Sequence, residues 1–266
     1  MKPGHNGING VIKPQLRMER TSPNVRVSDR TTARRGTQKH MHSHVQRRAL
    51  RPPSAPSDWL LWQLADSAFP TGGFAHSAGL EAAWGHGEVR NQTEAISFLE
   101  ASLHQFGRAS LPFVNAAFDE SQSLAELDKL YDAFTPNHVA NRSSRTQGKA
   151  FLAAAKRVFD VTTQEPPCGH SVPVFGAVAR ALGIPRQTAA RLAFFGHLRG
   201  LLMAAVRLNI VGPMAAQVLQ QRLSPLAETI LHRSSALSIQ DIAQTSPLID
   251  LWQGNHDRLY SRLFQS

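Results

Sequence analysis

The chain has 266 residues and a mass of 29.2 kDa, with 29 Lys/Arg against 19 Asp/Glu, a formal net charge of +10 and a pI near 10.8. Residues 1–57 hold 12 Lys/Arg and only Glu19 and Asp29 as acids, so the net +10 lies there, and the other 209 residues carry 17 charges of each sign. A polyanion-binding argument from charge therefore applies to this segment alone, and the single Cys168 excludes an intrachain disulfide, a thiolate zinc quartet or an iron–sulfur cluster.

All 19 aromatic residues lie after position 57. A charged segment without aromatic side chains buries too little apolar area to offset its conformational entropy, so 1–57 reads as a disordered basic leader and 58–266 as one folded domain. His40, His42 and His44 in the leader alternate along the chain and could chelate a divalent metal, although a solvated polar tail is the better reading. No run reaches the roughly 18 consecutive apolar residues of a membrane span, no secretory signal precedes the fold, and a reducing, cytoplasmic setting is expected.

After residue 57, Ala and Leu number 57 while Val and Ile number 18, and no stretch alternates with period two between hairpin turns. This predicts an all-α fold of about eight to ten helices. Ser57-Asp58 opens the first helix, and a short one is expected from about His76 to Trp84. Thr93-Glu94 opens the next, with Ile96, Leu99, Leu103 and Phe106 on one face. Ser123 to Glu126 is a capping box, and Thr135-Pro136 reads as the start of a long helix to Phe159. Thr163 to Gly169, containing Pro166-Pro167, is expected to be a mobile loop. Pro173 lies in the first turn of a helix to Leu182, Pro185 starts one towards Leu208, Pro213 and Pro225 each start a shorter one, and Ser246-Pro247 opens a last helix through Trp252 to Leu263.

The chemistry that is missing narrows the function. No G-x-x-x-x-G-K-[ST], G-x-S-x-G, H-E-x-x-H or C-x-x-C occurs, which disfavours a P-loop NTPase, an α/β-hydrolase and a zincin. Cys168 and His170 are the one Cys/His pair within ligand reach. Two ligands do not close a tetrahedral site, so no complete metal site is read here, and His76, Cys168 and His170 stand only as candidate metal contacts. His76, Ser77 and Glu81 suggest a nucleophilic relay, but adjacent helical residues point about 100° apart, and a packing corner built on Pro70, Gly72, Gly73 and Gly79 is the better reading.

The stretch from Leu61 to Glu81, with Pro70, Gly72, Gly73, Phe74, His76, Ser77, Gly79 and Glu81, closely resembles the N-terminal signature of the UreF family of urease accessory proteins. Arg145-Thr146-Gln147-Gly148-Lys149, Ala204 to Leu208 with Arg207, and the terminal Ser261 to Ser266 agree with it in order. The resemblance covers 58–266 and leaves the leader out; Asn209 and Pro213 depart from the usual pattern. It implies an all-helical, cytoplasmic, non-catalytic adaptor or chaperone, acting as a dimer. Its implied partners are UreD (also called UreH), the GTPase UreG and apo-urease. The resemblance places nickel with the complex and GTP with UreG, so no tightly bound cofactor is expected. It makes Arg262, Leu263, Phe264 and Ser266 partner-binding candidates, although docking of the last helix on the core explains the apolar pair as well. The alternative function is a nucleic-acid-binding helical protein using the basic leader. The leader's lack of stacking aromatics and the neutral remainder argue against nucleic acid as a partner, and with no apolar run of membrane-spanning length no membrane partner is expected.

Overall fold

In the computed structural model, which describes residues 56–266, the chain starts its first helix where Ser57 accepts the Leu60 amide. Ten α-helices follow among the described residues: α1 Asp58–Ala65, α2 Leu80–Gly85, α3 Gln92–Gln105, α4 Leu111–Asp119, α5 Leu124–Phe134, α6 His138–Phe159, α7 Ser171–Ala181, α8 Arg186–Arg207, α9 Pro213–Ser234 and α10 Pro247–Gly254. No strand occurs among these residues, so the all-α class and the helix count agree with the sequence. Residues 1–55 of the leader, with its histidines, lie outside the described residues.

Several boundaries move, each for a local reason. The helix expected from His76 begins at Leu80, because Ala78 (φ 49°) and Gly79 (φ 90°) are both left-handed. Asn91, not Thr93, caps α3 through the Glu94 amide at 3.0 Å, and Asn137, not Thr135, caps α6. A π-helical turn, Phe106–Ser110, joins α3 to α4, where α9 approaches so closely that a Cβ on Gly107 would lie 2.5 Å from Ile230 Cγ2. Helix α4 is buried from Leu111 to Ala117, so it has no polar face to mark a period in the sequence.

Two expected helices are in fact one. Helix α9 runs unbroken through Pro225, which costs a backbone hydrogen bond. Leu219 and Leu223 before it, and Ile230 and Leu231 after it, are buried in one cluster and hold both halves in line. The last helix is shorter than expected: α10 ends at Gly254, a 3-10 turn covers His256–Arg258, and Ser261 to Ser266 run back across the molecule.

The largest hydrophobic cluster joins Leu80 of α2, Leu99 and Leu103 of α3, Leu198, Leu201 and Leu202 of α8, Leu219 and Leu223 of α9, and Phe264 of the tail. Helix α8 is long and apolar enough, by length and composition alone, to cross a membrane. In this fold it packs as a central helix with Phe194, Leu198, Leu201, Leu202, Ala204 and Ala205 buried. A second cluster packs Phe69 of the signature segment on Phe151 and Leu152 of α6 and Val174 and Val178 of α7.

Candidate functional site

The signature segment, Arg207 and the C-terminal tail meet on one side of the molecule. Gly72 (φ 70°) turns the chain into a 3-10 turn, Gly73–Ala75. Gly79 then lets the backbone pass over α10, since a Cβ there would lie 3.2 Å from Ile249 O and from Gln253 Cβ. This leaves backbone groups at 75 and 77 for the tail. Gln265 N–H donates to Ala75 O at 2.8 Å, and Ser77 N–H donates to Ser266 O at 2.6 Å.

Glu81 fastens the same tail. Its carboxylate, buried in the first turn of α2, accepts Leu263 N–H at 2.5 Å and Phe264 N–H at 3.2 Å, and pairs with His256 Nε2 at 2.7 Å. Arg207, at the last turn of α8, donates to Phe74 O and to Leu263 O, and its guanidinium lies 4.1 Å from the centroid of the Phe264 ring. The fourth motif is adjacent: a Cβ on Gly73 would lie 3.4 Å from Gln147 Oε1, and Gln147 itself donates to Ser143 Oγ at 2.9 Å.

The relay of His76, Ser77 and Glu81 is not formed. His76 Nδ1 lies 2.5 Å from Ser266 Oγ, the Ser77 hydroxyl is fully buried and donates to Ser266 O at 3.1 Å, and Glu81 is committed to His256 and the tail. Burial first, then the charges of Arg142 and His256, hold the His76 imidazole down at about 4, so it is neutral near pH 7.

Of the tail residues expected to meet a partner, Phe264 and Ser266 are buried against this chain, while Leu263 is 60% exposed. Arg262 reaches Asp257 at 3.0 Å, where Arg142 and His138 of α6 also converge. Pairing with Arg142 above all holds the Asp257 carboxyl below its ordinary range. Phe74 on the turn and Tyr260 and Leu263 towards the chain end are exposed, while Arg207 joins the turn to the tail and Arg262 reaches Asp257.

His76 lies apart from the other two candidate metal contacts, Cys168 and His170, which sit in the α6–α7 loop. Its end is fastened rather than free: Asp128, wholly buried on α5, accepts the amides of Cys168 (2.5 Å), Gly169 (3.0 Å) and His170 (2.8 Å). One turn later on α5, Asp132 accepts from His170 Nε2 at 3.0 Å. Gly148 of α6 lies against this loop, and a Cβ there would stand 2.2 Å from Gly169 O. Sequence reading did not single out Asp128, Asp132 or His256. The two aspartates are spaced i, i+4 on a helix that its capping box defines, and that spacing was the available signal; their partners lie about forty residues on.

A family model described as UreF matches residues 89–224. Urease accessory protein F of Arabidopsis thaliana is 38% identical over 229 residues, covering 80% of this chain and 94% of the relative. Urease accessory protein F of Oryza sativa subsp. indica is 37% identical over 219 residues, covering 77% and 84%. Urease accessory protein UreF of Trichodesmium erythraeum is 27% identical over 220 residues, covering 77% and 94%.

Proposed function

Because the chain belongs to the UreF family of urease accessory proteins, we propose that it acts as a non-catalytic adaptor, or chaperone, in urease maturation by nickel insertion. In this reading it joins UreD (UreH) and the GTPase UreG on apo-urease in the cytoplasm and works as a homodimer. Nickel is the cargo of the complex and GTP belongs to UreG, so this chain needs no tightly bound cofactor of its own.

The observation that carries the adaptor reading is the convergence of the signature turn, Arg207 and the tail into one hydrogen-bonded surface. An enzyme would direct its polar side chains towards a reacting atom. Here Ser77, Glu81 and Arg207 are spent on the chain's own backbone, and the groups left outward are Phe74, Tyr260 and Leu263. Exposed aromatic and aliphatic groups beside arginines on a fixed frame have the composition of a protein-binding surface.

The test is a urease operon reconstituted in a host without urease, with and without this gene. Urease activity should depend on the gene, and the tagged protein should retain UreD and, with it, UreG. Full urease activity without the gene overturns the reading.

A further inference from the structure

The α6–α7 loop carries the chain's single cysteine two residues before a histidine with no exposed surface. The fold adds a third donor from α5: the Asp132 carboxylate, Cys168 Sγ and a ring nitrogen of His170 lie within 4.8 Å of one another. Ligand atoms about 2.0–2.3 Å from one tetrahedral ion stand roughly 3.3–3.8 Å apart, so small side-chain rotations bring these three onto an ion.

Three further observations mark this cluster as a built site. Its backbone is set in advance, because Asp128 holds all three amides from 168 to 170 and Gly148 lets α6 pack directly on the loop. The His170 ring is wholly buried and turns its Nε2 to the cluster, 3.0 Å from Asp132 Oδ1. Asp132 keeps 40% of its side chain exposed and lines a cleft of about 550 Å³, so the cluster is open at its Asp132 end, where a water can supply a fourth ligand.

We propose that Asp132, Cys168 and His170 bind one divalent transition metal of borderline softness, Zn²⁺, Co²⁺ or Ni²⁺, with a fourth position open to the cleft. Thiolate and imidazole together select against Mg²⁺ and Ca²⁺. Burial, above all, lowers the His170 pKa, so the imidazole is a free base near pH 7; burial and then Asp128 and Asp132 raise that of Cys168. On binding, the Sγ–H bond breaks and its proton leaves to solvent, the His170 imidazole moves its proton from Nε2 to Nδ1, and the freed sulfur and Nε2 lone pairs bond the metal with no change of oxidation state. Arg145 opposes the incoming charge, and the thiolate with both aspartates balances it. This site does not depend on the adaptor reading.

Titration of the full chain with Co²⁺ in a phosphine reductant tests it. With one cysteine in the sequence, a thiolate-to-cobalt charge-transfer band reports Cys168 alone, and the leader histidines cannot produce it. The band should saturate at one equivalent, bleach on adding Zn²⁺, and vanish in Cys168→Ser with circular dichroism unchanged. Asp132→Asn and His170→Gln should each weaken Co²⁺ binding by at least about tenfold, a loss usual even for groups that only orient ligands. Because buried His170→Gln can fail to fold, Asp132→Asn is the decisive variant. No band at one equivalent, or wild-type affinity in Asp132→Asn, overturns the proposal.

Discussion

The Glu81 carboxylate meets the His256 imidazole at 2.7 Å, and both side chains are buried. The same carboxylate accepts the amides of Leu263 and Phe264, so one acid on α2 closes both the 3-10 turn after α10 and the tail. Glu81→Ala leaves an imidazole and two backbone amides without their acceptor. The expected loss is about 3–5 kcal/mol, the range for removing one partner of a buried pair. Urea unfolding measures it, and a loss below 1 kcal/mol would show that solvent replaces the carboxylate.

Gly148→Ala and Gly196→Ala should act in opposite directions. At 148 the added Cβ meets backbone, at 2.2 Å from Gly169 O and 2.5 Å from Ser171 N, so α6 must move off the loop. Overpacking of this kind costs about 1–3 kcal/mol. At 196, exposed on α8, a Cβ meets nothing within 4 Å, and alanine's helix preference should add up to about 1 kcal/mol. Thermal midpoints of the two variants should fall on either side of the parent.

The contrast between these elements shows what the sequence makes legible. Ser57, the Ser123 and Glu126 box and Pro185 act within one turn of their own residue, and the structure has each where the pattern put it. Pro225 misleads because its local cost is outweighed by leucines and isoleucine packed on both sides of it, which only tertiary contact reveals. The tail misleads likewise: Leu259, Leu263 and Phe264 have helical spacing, but Ala75, Ser77 and Glu81, more than 180 residues earlier, take the backbone groups of Leu263 to Ser266. The motifs at 61–81, 204–208 and 261–266 are each visible singly. Their meeting is not, since nothing in a linear pattern records contact across the whole chain.

Acid should weaken the fold in part through two histidines that the folded chain keeps neutral. Burial holds the His197 imidazole down at about 4, and His76 is held at about 4 as well. Between about 6.5 and 4 the unfolded chain takes up protons that the folded chain refuses, so stability is complete above about pH 6.5 and falls as pH drops towards 4. One such histidine contributes a slope of at most about 1.4 kcal/mol per pH unit. His197→Phe keeps the ring stacked on Phe106, now 4.6 Å between centroids, and removes the titration. Urea midpoints at pH 7 and pH 5 should differ less in this variant than in the parent; an equal difference would assign the acid sensitivity elsewhere.

Leu263 and Phe264 are neighbours with opposite environments, and that difference separates fold from partner binding. Phe264 is 6% exposed, in the main cluster beneath the Arg207 guanidinium, whereas Leu263 is 60% exposed with only its backbone engaged. Phe264→Ala should therefore cost about 3–5 kcal/mol of stability. Leu263→Ala and Tyr260→Ala should leave the urea midpoint within about 0.5 kcal/mol of the parent. If the turn-and-tail surface receives UreD, the same two variants should weaken retention of UreD by about tenfold or more, as for residues at the centre of an interface. The surface variants leave Glu81, Arg207 and the tail backbone intact, so a loss of binding at unchanged stability reads contact alone. Unchanged binding in the Tyr260→Ala, Leu263→Ala double variant would move the interface away from this surface, and the tail would then serve the fold by locking the signature turn.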